Sequence, residues 1–161
     1  MKRALGTLAT IALVTLAVAP LADGEEQTRE SYKAQVEPIC QANRSANERI
    51  MSGAKERVNK GKLKPAGKQF IRVSESFGRL IKQLRPIPAP AADEHRIGRW
   101  FELMKLLRLR LRSVGRYFIE GERIKGTHES ILAERSGISA NNISIAFHFH
   151  YCRFGRFDRN G

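Results

Sequence analysis

The chain has 161 residues, with 29 Lys and Arg against 16 Asp and Glu, a formal net charge of +13. That length leaves room for one domain with a single modest core. So large a positive excess bears on association with anionic neighbours and on solubility; it carries no information about fold or catalysis.

The first element in chain order has the layout of an export signal. Lys2 and Arg3 precede an apolar, small-residue run from Ala4 to Ala19, Pro20 breaks it, and Ala22-Asp23-Gly24 follow. This is the charged, apolar, small-residue order of a secretory signal peptide spanning residues 1–22, with cleavage after Gly24 as the alternative. The run is also just long enough for an uncleaved membrane anchor. A lipid anchor is disfavoured, because neither cysteine ends the apolar run. Removing 1–22 leaves a single helical domain over 23–161, 139 residues with a net charge of +11. Outside the cytoplasm, such a charge points to wall polymers, lipid headgroups, extracellular nucleic acid or acidic proteins.

The apolar period is helical through nearly all of the remaining chain. Ser31 to Val36 reads as a short helix ending before Pro38. Pro38 then suits a first turn, followed by a face of Cys40, Asn43, Ala46, Ile50, Ala54 and Val58, with Gly61 as the stop. Pro65 starts a second helix with Ala66, Phe70, Val73, Phe77, Leu80 or Ile81, and Leu84 on one side. Arg85 to Pro90 holds three alternating prolines and predicts a stiff, extended connector. Asp93 is placed to cap a third helix that buries Ile97, Trp100, Met104, Leu107, Leu111, Val114 and Phe118, and Gly121 breaks it. A fourth helix is predicted with Ile124, His128, Ile131, Arg135, Ile138, Asn142, Ile145, Phe149 and Cys152 on its face, Ser136-Gly137 being a point of kinking or early termination. An irregular basic tail follows Arg153.

Four helices of comparable length with short connections predict an all-α, up-down-up-down four-helix bundle. In an oxidising compartment the lone pair Cys40 and Cys152 reads as one disulfide. The bundle topology places the start of the first helix and the end of the fourth together, so the two expectations agree. An intermolecular bridge is the alternative.

Catalytic chemistry is sparse. His148, His150 and Cys152 are metal-ligating residue types, but on a helix positions two apart diverge by about 200°, and a disulfide removes the thiolate. His128-Glu129 opens like an HExxH helix, yet Leu132 stands where the second histidine belongs. No nucleophile elbow, P-loop, CxxC or EF-hand pattern occurs. We therefore expect no cofactor and no metal, and favour a non-catalytic role, with a hydrolase or metalloenzyme too divergent to show a motif as a further alternative. Basic residues are the more specific surface feature. Lys105, Arg108, Arg112 and Arg116 recur at helical spacing, Arg110 widens that stripe, and Arg96 and Arg99 extend it upstream. Arg153, Arg156 and Arg159 with Phe154 and Phe157 form a second, basic-aromatic cluster. Arg-rich stripes suit contact with phosphates or carboxylates; a solvated helix face and a loose terminus are the plainer readings.

The segments YKAQVEPICQAN (Tyr32 to Asn43), QLRPIPAPAADEHRIGRW (Gln83 to Trp100) and FHFHYCRF (Phe147 to Phe154) resemble those of uncharacterised exported helical proteins of actinobacteria. The resemblance covers most of 23–161, includes both cysteines and the proline connector, and implies an extracytoplasmic home and the Cys40–Cys152 pairing. It brings no site residues. The sequence thus leads us to expect an exported cell-envelope binding or structural module whose basic surface (Lys105, Arg108, Arg112, Arg116, Arg153, Arg156) contacts anionic wall polymer or a membrane surface. No motif for sequence-specific nucleic-acid binding is present. The alternative is a carrier of a small ligand in the bundle core, suggested by Asn43, His128 and Asn142.

Overall fold

Thr28 starts the first helix. Its hydroxyl accepts the Ser31 N–H while Ser31 Oγ accepts the Thr28 N–H, a reciprocal cap that satisfies two backbone donors. In the computed structural model, which describes residues 27–154, five helices follow: α1 (Arg29–Met51), α2 (Ala54–Asn59), α3 (Leu63–Leu84), α4 (Glu94–Ile119) and α5 (Arg123–Ala146). A single 3-10 turn at Ala91–Asp93 enters α4. Among the described residues there is no strand. The expected leader over 1–22 lies outside the described residues, as does the tail beyond Phe154.

The four long helices run alternately up and down, with α2 inserted in the first connection. α1 packs on α3, α3 on α4 and α4 on α5. Gly61 and Gly121, both at positive φ, close α2 and α4 with paired backbone bonds: Lys62 N–H to Arg57 C=O and Gly61 N–H to Val58 C=O, and likewise Glu122 to Tyr117 and Gly121 to Phe118. The proline connector over 85–90 is irregular, as its composition predicts. α3 and α4 bury the faces read from sequence. Val73, Phe77, Leu80 and Leu84 meet Trp100, Met104, Leu107 and Leu111 in one core, while Phe70 is half-buried.

α1 departs from the sequence reading. It runs unbroken through Pro38, with no separate helix before it. An interior proline removes the bond to the carbonyl four residues back and costs about 3 kcal/mol. Here Pro38 and Ala34 both lie on the exposed side of α1, where a freed carbonyl can be hydrated at less cost than in the core. Gly53, at positive φ, ends the helical path before Ala54, so Val58 belongs to α2. Asp93 sits at the N-cap of α4 but makes no side-chain capping bond; its carboxylate takes a bidentate contact from Arg29, Nη2–Oδ1 2.7 Å and Nε–Oδ2 2.5 Å. That pair ties the start of α1 to the start of α4. Arg29 beside it holds the Asp93 carboxyl below the ordinary carboxylate range.

The larger correction concerns α5. Its buried side is Gly126, Ala133, Ser136, Gly137, Ala140 and Ser144, and the helix passes through Ser136-Gly137 without a break. The predicted face is turned outward: Ile124, Ile131, Ile138 and Ile145 are 85%, 47%, 51% and 51% exposed, and His128, Arg135 and Asn142 are exposed beside them. Small side chains let α5 lie close against α4, where the Phe118 ring occupies the space a Cβ on Gly126 would need. The same device brings α3 to α4. A Cβ on Gly67 would stand 2.6 Å from the Gly115 carbonyl oxygen, and one on Gly115 2.8 Å from that of Gly67.

α5 also stops six residues short of Cys152. Its end repeats the Gly61 and Gly121 closure with His148 at φ 52° in the glycine position; Phe149 N–H bonds Ser144 C=O and His148 N–H bonds Ile145 C=O. The segment 147–154 then folds back into the core. Phe149 packs on Tyr32 and Trp100, and Phe154 on Phe77 and Trp100. Cys152 is bonded to Cys40 (S–S 2.05 Å, Cα–Cα 5.0 Å), both fully buried. The expected pairing is therefore present as an internal bond, joining α1 to the segment after the last helix. Glu37 accepts the N–H groups of His150 and Tyr151 at 2.7 and 3.0 Å, Ser144 Oγ donates to the Cys152 carbonyl at 2.7 Å, and the Asn141 amide brackets the Phe154 backbone.

Candidate polyanion-binding face

α4 carries the basic stripe because its apolar period leaves 105, 108, 112 and 116 on the outer side next to α3. The structure divides the sequence-derived candidates. Arg112 and Arg116 are exposed. Arg108 is half-buried, its side chain lying across Gly78 of α3, where a Cβ would stand 3.0 Å from Nε. Lys105 is paired with Glu102 at 2.6 Å, and Arg85 reaches the same carboxylate at 3.9 Å. That bond with Lys105 is the main reason the Glu102 carboxyl titrates below its ordinary range. Arg110 turns the other way and bonds Glu129 of α5 at 3.1 Å. Arg96 approaches Asp93 at 4.0 Å. Arg153 is exposed on the folded-back segment and donates from Nε to the Phe149 carbonyl. Arg156 lies outside the described residues.

The close α3–α4 crossing adds a second row that the sequence reading missed. Lys64, Lys68, Arg72, Arg79 and Lys82 recur at intervals of three, four or seven on the exposed side of α3, interrupted by Glu75. The spacing was visible in the chain, but only packing brings this row beside Arg108, Arg112 and Arg116. Contacts of Gly78 with Arg108 and of Ile71 with Gly115 set the register between the two. Along the helix axis Lys64 to Lys82 spans about 27 Å at 1.5 Å per residue. No described carboxylate forms an ion pair with Lys68, Arg72, Arg79, Arg108, Arg112 or Arg116. Unpaired cations a turn apart repel one another, and an anion that bridges them relieves that repulsion.

At one end of this face lies an open depression of about 520 Å³ bounded by Arg57, Lys68, Arg72, Glu75, Ile71 and Ile119. Its floor is built from committed groups. Gln69 donates to the carbonyls of Ile50 (2.6 Å) and Ser52 (3.0 Å), and Arg57 donates to Ser52 C=O and Gln69 Oε1.

The remaining candidate chemistry is dispersed. His148 and His150 are exposed on the irregular segment, so the helical geometry expected for them does not apply. Among the described residues no three His, Cys, Asp or Glu side chains converge on one point. Asn43 bonds Ser76 Oγ at 2.8 Å and Asn47 at 2.9 Å, whereas His128 and Asn142 face solvent. These three residues line no shared space in the core. Among the described residues, no helix is long and apolar enough to cross a membrane. No family model, curated protein or solved structure matches the chain.

Proposed function

We propose that the chain is an exported cell-envelope module that holds to an anionic wall polymer or an anionic lipid surface through the α3–α4 face. The observation that carries this reading is the juxtaposition of Lys68, Arg72 and Arg79 of α3 with Arg108, Arg112 and Arg116 of α4, none of them in an ion pair with a described carboxylate. Arg112, Arg116, Arg72 and Arg79 offer planar forks suited to phosphate or carboxylate oxygens. Lys105 contributes less, because Glu102 neutralises it. The leader-like sequence before the domain and the buried disulfide support an oxidising, extracytoplasmic setting.

The test is co-sedimentation of the purified exported chain with cell wall, anionic vesicles and neutral vesicles, each at low and high salt. Charge-selective binding that salt abolishes is the expected result, since exposed charges are screened within about 10 Å at 0.1 M ionic strength. Reversing Arg72 and Arg112 to Glu should remove it, while reversing Arg49 and Arg123, exposed elsewhere, should leave most of it at the same net charge. No binding at low salt, or equal loss from both pairs, sinks the proposal.

A further inference from the structure

The outward face of α5 is a ridge of isoleucines at positions 124, 131, 138 and 145, seven residues apart and one per two turns. A spacing of seven drifts by about 20° per two turns on a straight helix, and a left-handed supercoil with another helix removes the drift. The ridge lies opposite the Gly126, Ala133, Ala140 side that packs on α4, so no described element covers it. Single exposed apolar side chains need no explanation, but four β-branched residues in strict register on one solvent face form a continuous apolar line that a second helix can cover, with polar Thr127, Glu134 and Asn141 between them.

The flanks of the ridge say what the partner is. Thr127 and Glu134 stand on one side of it, and His128 and Arg135 on the other, all exposed. Neither Glu134 nor Arg135 has an ion-pair partner among the described residues. A two-fold axis parallel to α5 sets each flank against the opposite flank of the second copy at the same height. Ile then meets Ile at each of the four levels, and Glu134 meets Arg135 of the other copy, twice by symmetry. An antiparallel pairing would set each flank against itself, Glu134 on Glu134 and Arg135 on Arg135, which is repulsive. The apolar segment 4–19 of this chain carries no charge to answer this pattern.

We infer that α5 is a homodimerisation surface, two copies associating in parallel through Ile124, Ile131, Ile138 and Ile145 with reciprocal Glu134–Arg135 pairs. The inference stands apart from the basic face on α3 and α4. α5 has 24 residues, about 36 Å of helix. A seam on one helix is at the small end of specific interfaces, so the dimer forms in a concentration-dependent way.

The experiment is sedimentation equilibrium of the purified exported chain over a concentration series into the high micromolar range, with melting temperature as a folding control. The wild-type mass should move from monomer toward dimer, and I131N/I138N should stay monomeric with an unchanged melt. E134R and R135E should each raise the dissociation constant about tenfold, and the swap E134R/R135E should restore it. A monomer at every concentration overturns the inference. So does a dimer indifferent to I131N/I138N, or one in which the swap fails to rescue the single reversals. Vesicle binding lost in I131N/I138N without any dimer would assign the ridge to lipid instead, which also overturns it.

Discussion

α4 and α5 are neighbours of nearly equal length that solve the same packing problem in opposite ways. α4 buries most of its large apolar residues, Trp100, Met104, Leu107, Leu111 and Phe118 among them, and shows mainly charge to solvent, with Leu109 the most exposed exception. α5 buries Gly, Ala and Ser and shows isoleucine. The contrast teaches that a core is filled by volume from the pair, not by each helix separately. Where α4 projects a ring or a branched side chain, α5 must withdraw one; Phe118 over Gly126 is the clearest case. The volume that α5 withholds near its end is returned by Phe147, Phe149 and Phe154, carried on the segment that follows it.

Replacing Cys40 and Cys152 together by Ala should cost the most, about 4–5 kcal/mol in the chain-entropy account of a loop closed over 112 residues. The aromatic segment then loses its covalent hold on α1, and Trp100 fluorescence should shift to the red in the native baseline. Retention of the wild-type melt after both substitutions would mean that the bridge contributes no stability.

Next come paired truncations. Leu107→Ala on α4 should destabilise by about 2–5 kcal/mol, whereas Ile138→Ala on α5 should change stability by less than about 0.5 kcal/mol. Chemical denaturation of both variants checks this, and comparable losses would mean that the ridge is buried. The reverse substitution discriminates in the other direction. Ala140→Leu, on the packed side of α5, should cost about 1–3 kcal/mol through overpacking, although it adds apolar surface. Gly67→Ala should behave alike, because backbone on both helices must part.

Two smaller effects depend on pH. Burial pushes Tyr32 up to about 12, and no described group bonds its hydroxyl. The unfolded tyrosine ionises near 10, so the folded state binds this proton more tightly and stability is lost as pH rises from 10 through about 12. A tyrosinate absorbance titration should contain a component near 12 that Tyr32→Phe removes, together with a shallower alkaline loss of stability. Asp93 has the opposite sign. Its carboxyl is lowered by Arg29, so its contribution is present above about pH 4, the unfolded value, and is lost as pH falls through the folded one. Asp93→Asn should flatten the acid limb of the stability curve slightly, a modest effect because Arg29 is half-exposed.

Legibility followed the size of the buried side chains. In α3 and α4 the large residues recur on one face, so periodicity identified both cores, and Gly61, Gly121 and the prolines of 85–90 marked their ends. In α5 the same rule pointed to Ile124, Ile131, Ile138 and Ile145, the wrong side, because a hydrophobic pattern weighs isoleucine above glycine and serine. The end of α5 was missed for a related reason: His148 adopts the left-handed position that glycine takes in the other two helix ends, and Phe149 and Cys152 continue the apparent register. Of the candidate site, the α4 row was legible as spacing, while its partner row on α3 became a neighbour only through the glycine crossing.

The sequence by itself determined that this chain is helical, where most helices stop, which faces of α3 and α4 are apolar, and that two cysteines have each other to pair with. Those properties are local, or follow from a count of two. Only the tertiary structure decided which side of α5 is inside, that Pro38 sits within a continuous α1, that Phe147, Phe149 and Phe154 belong to the core, and which cations share a surface. Each of these turns on how closely two backbones approach, and that distance is set by both partners at once, so no single segment encodes it.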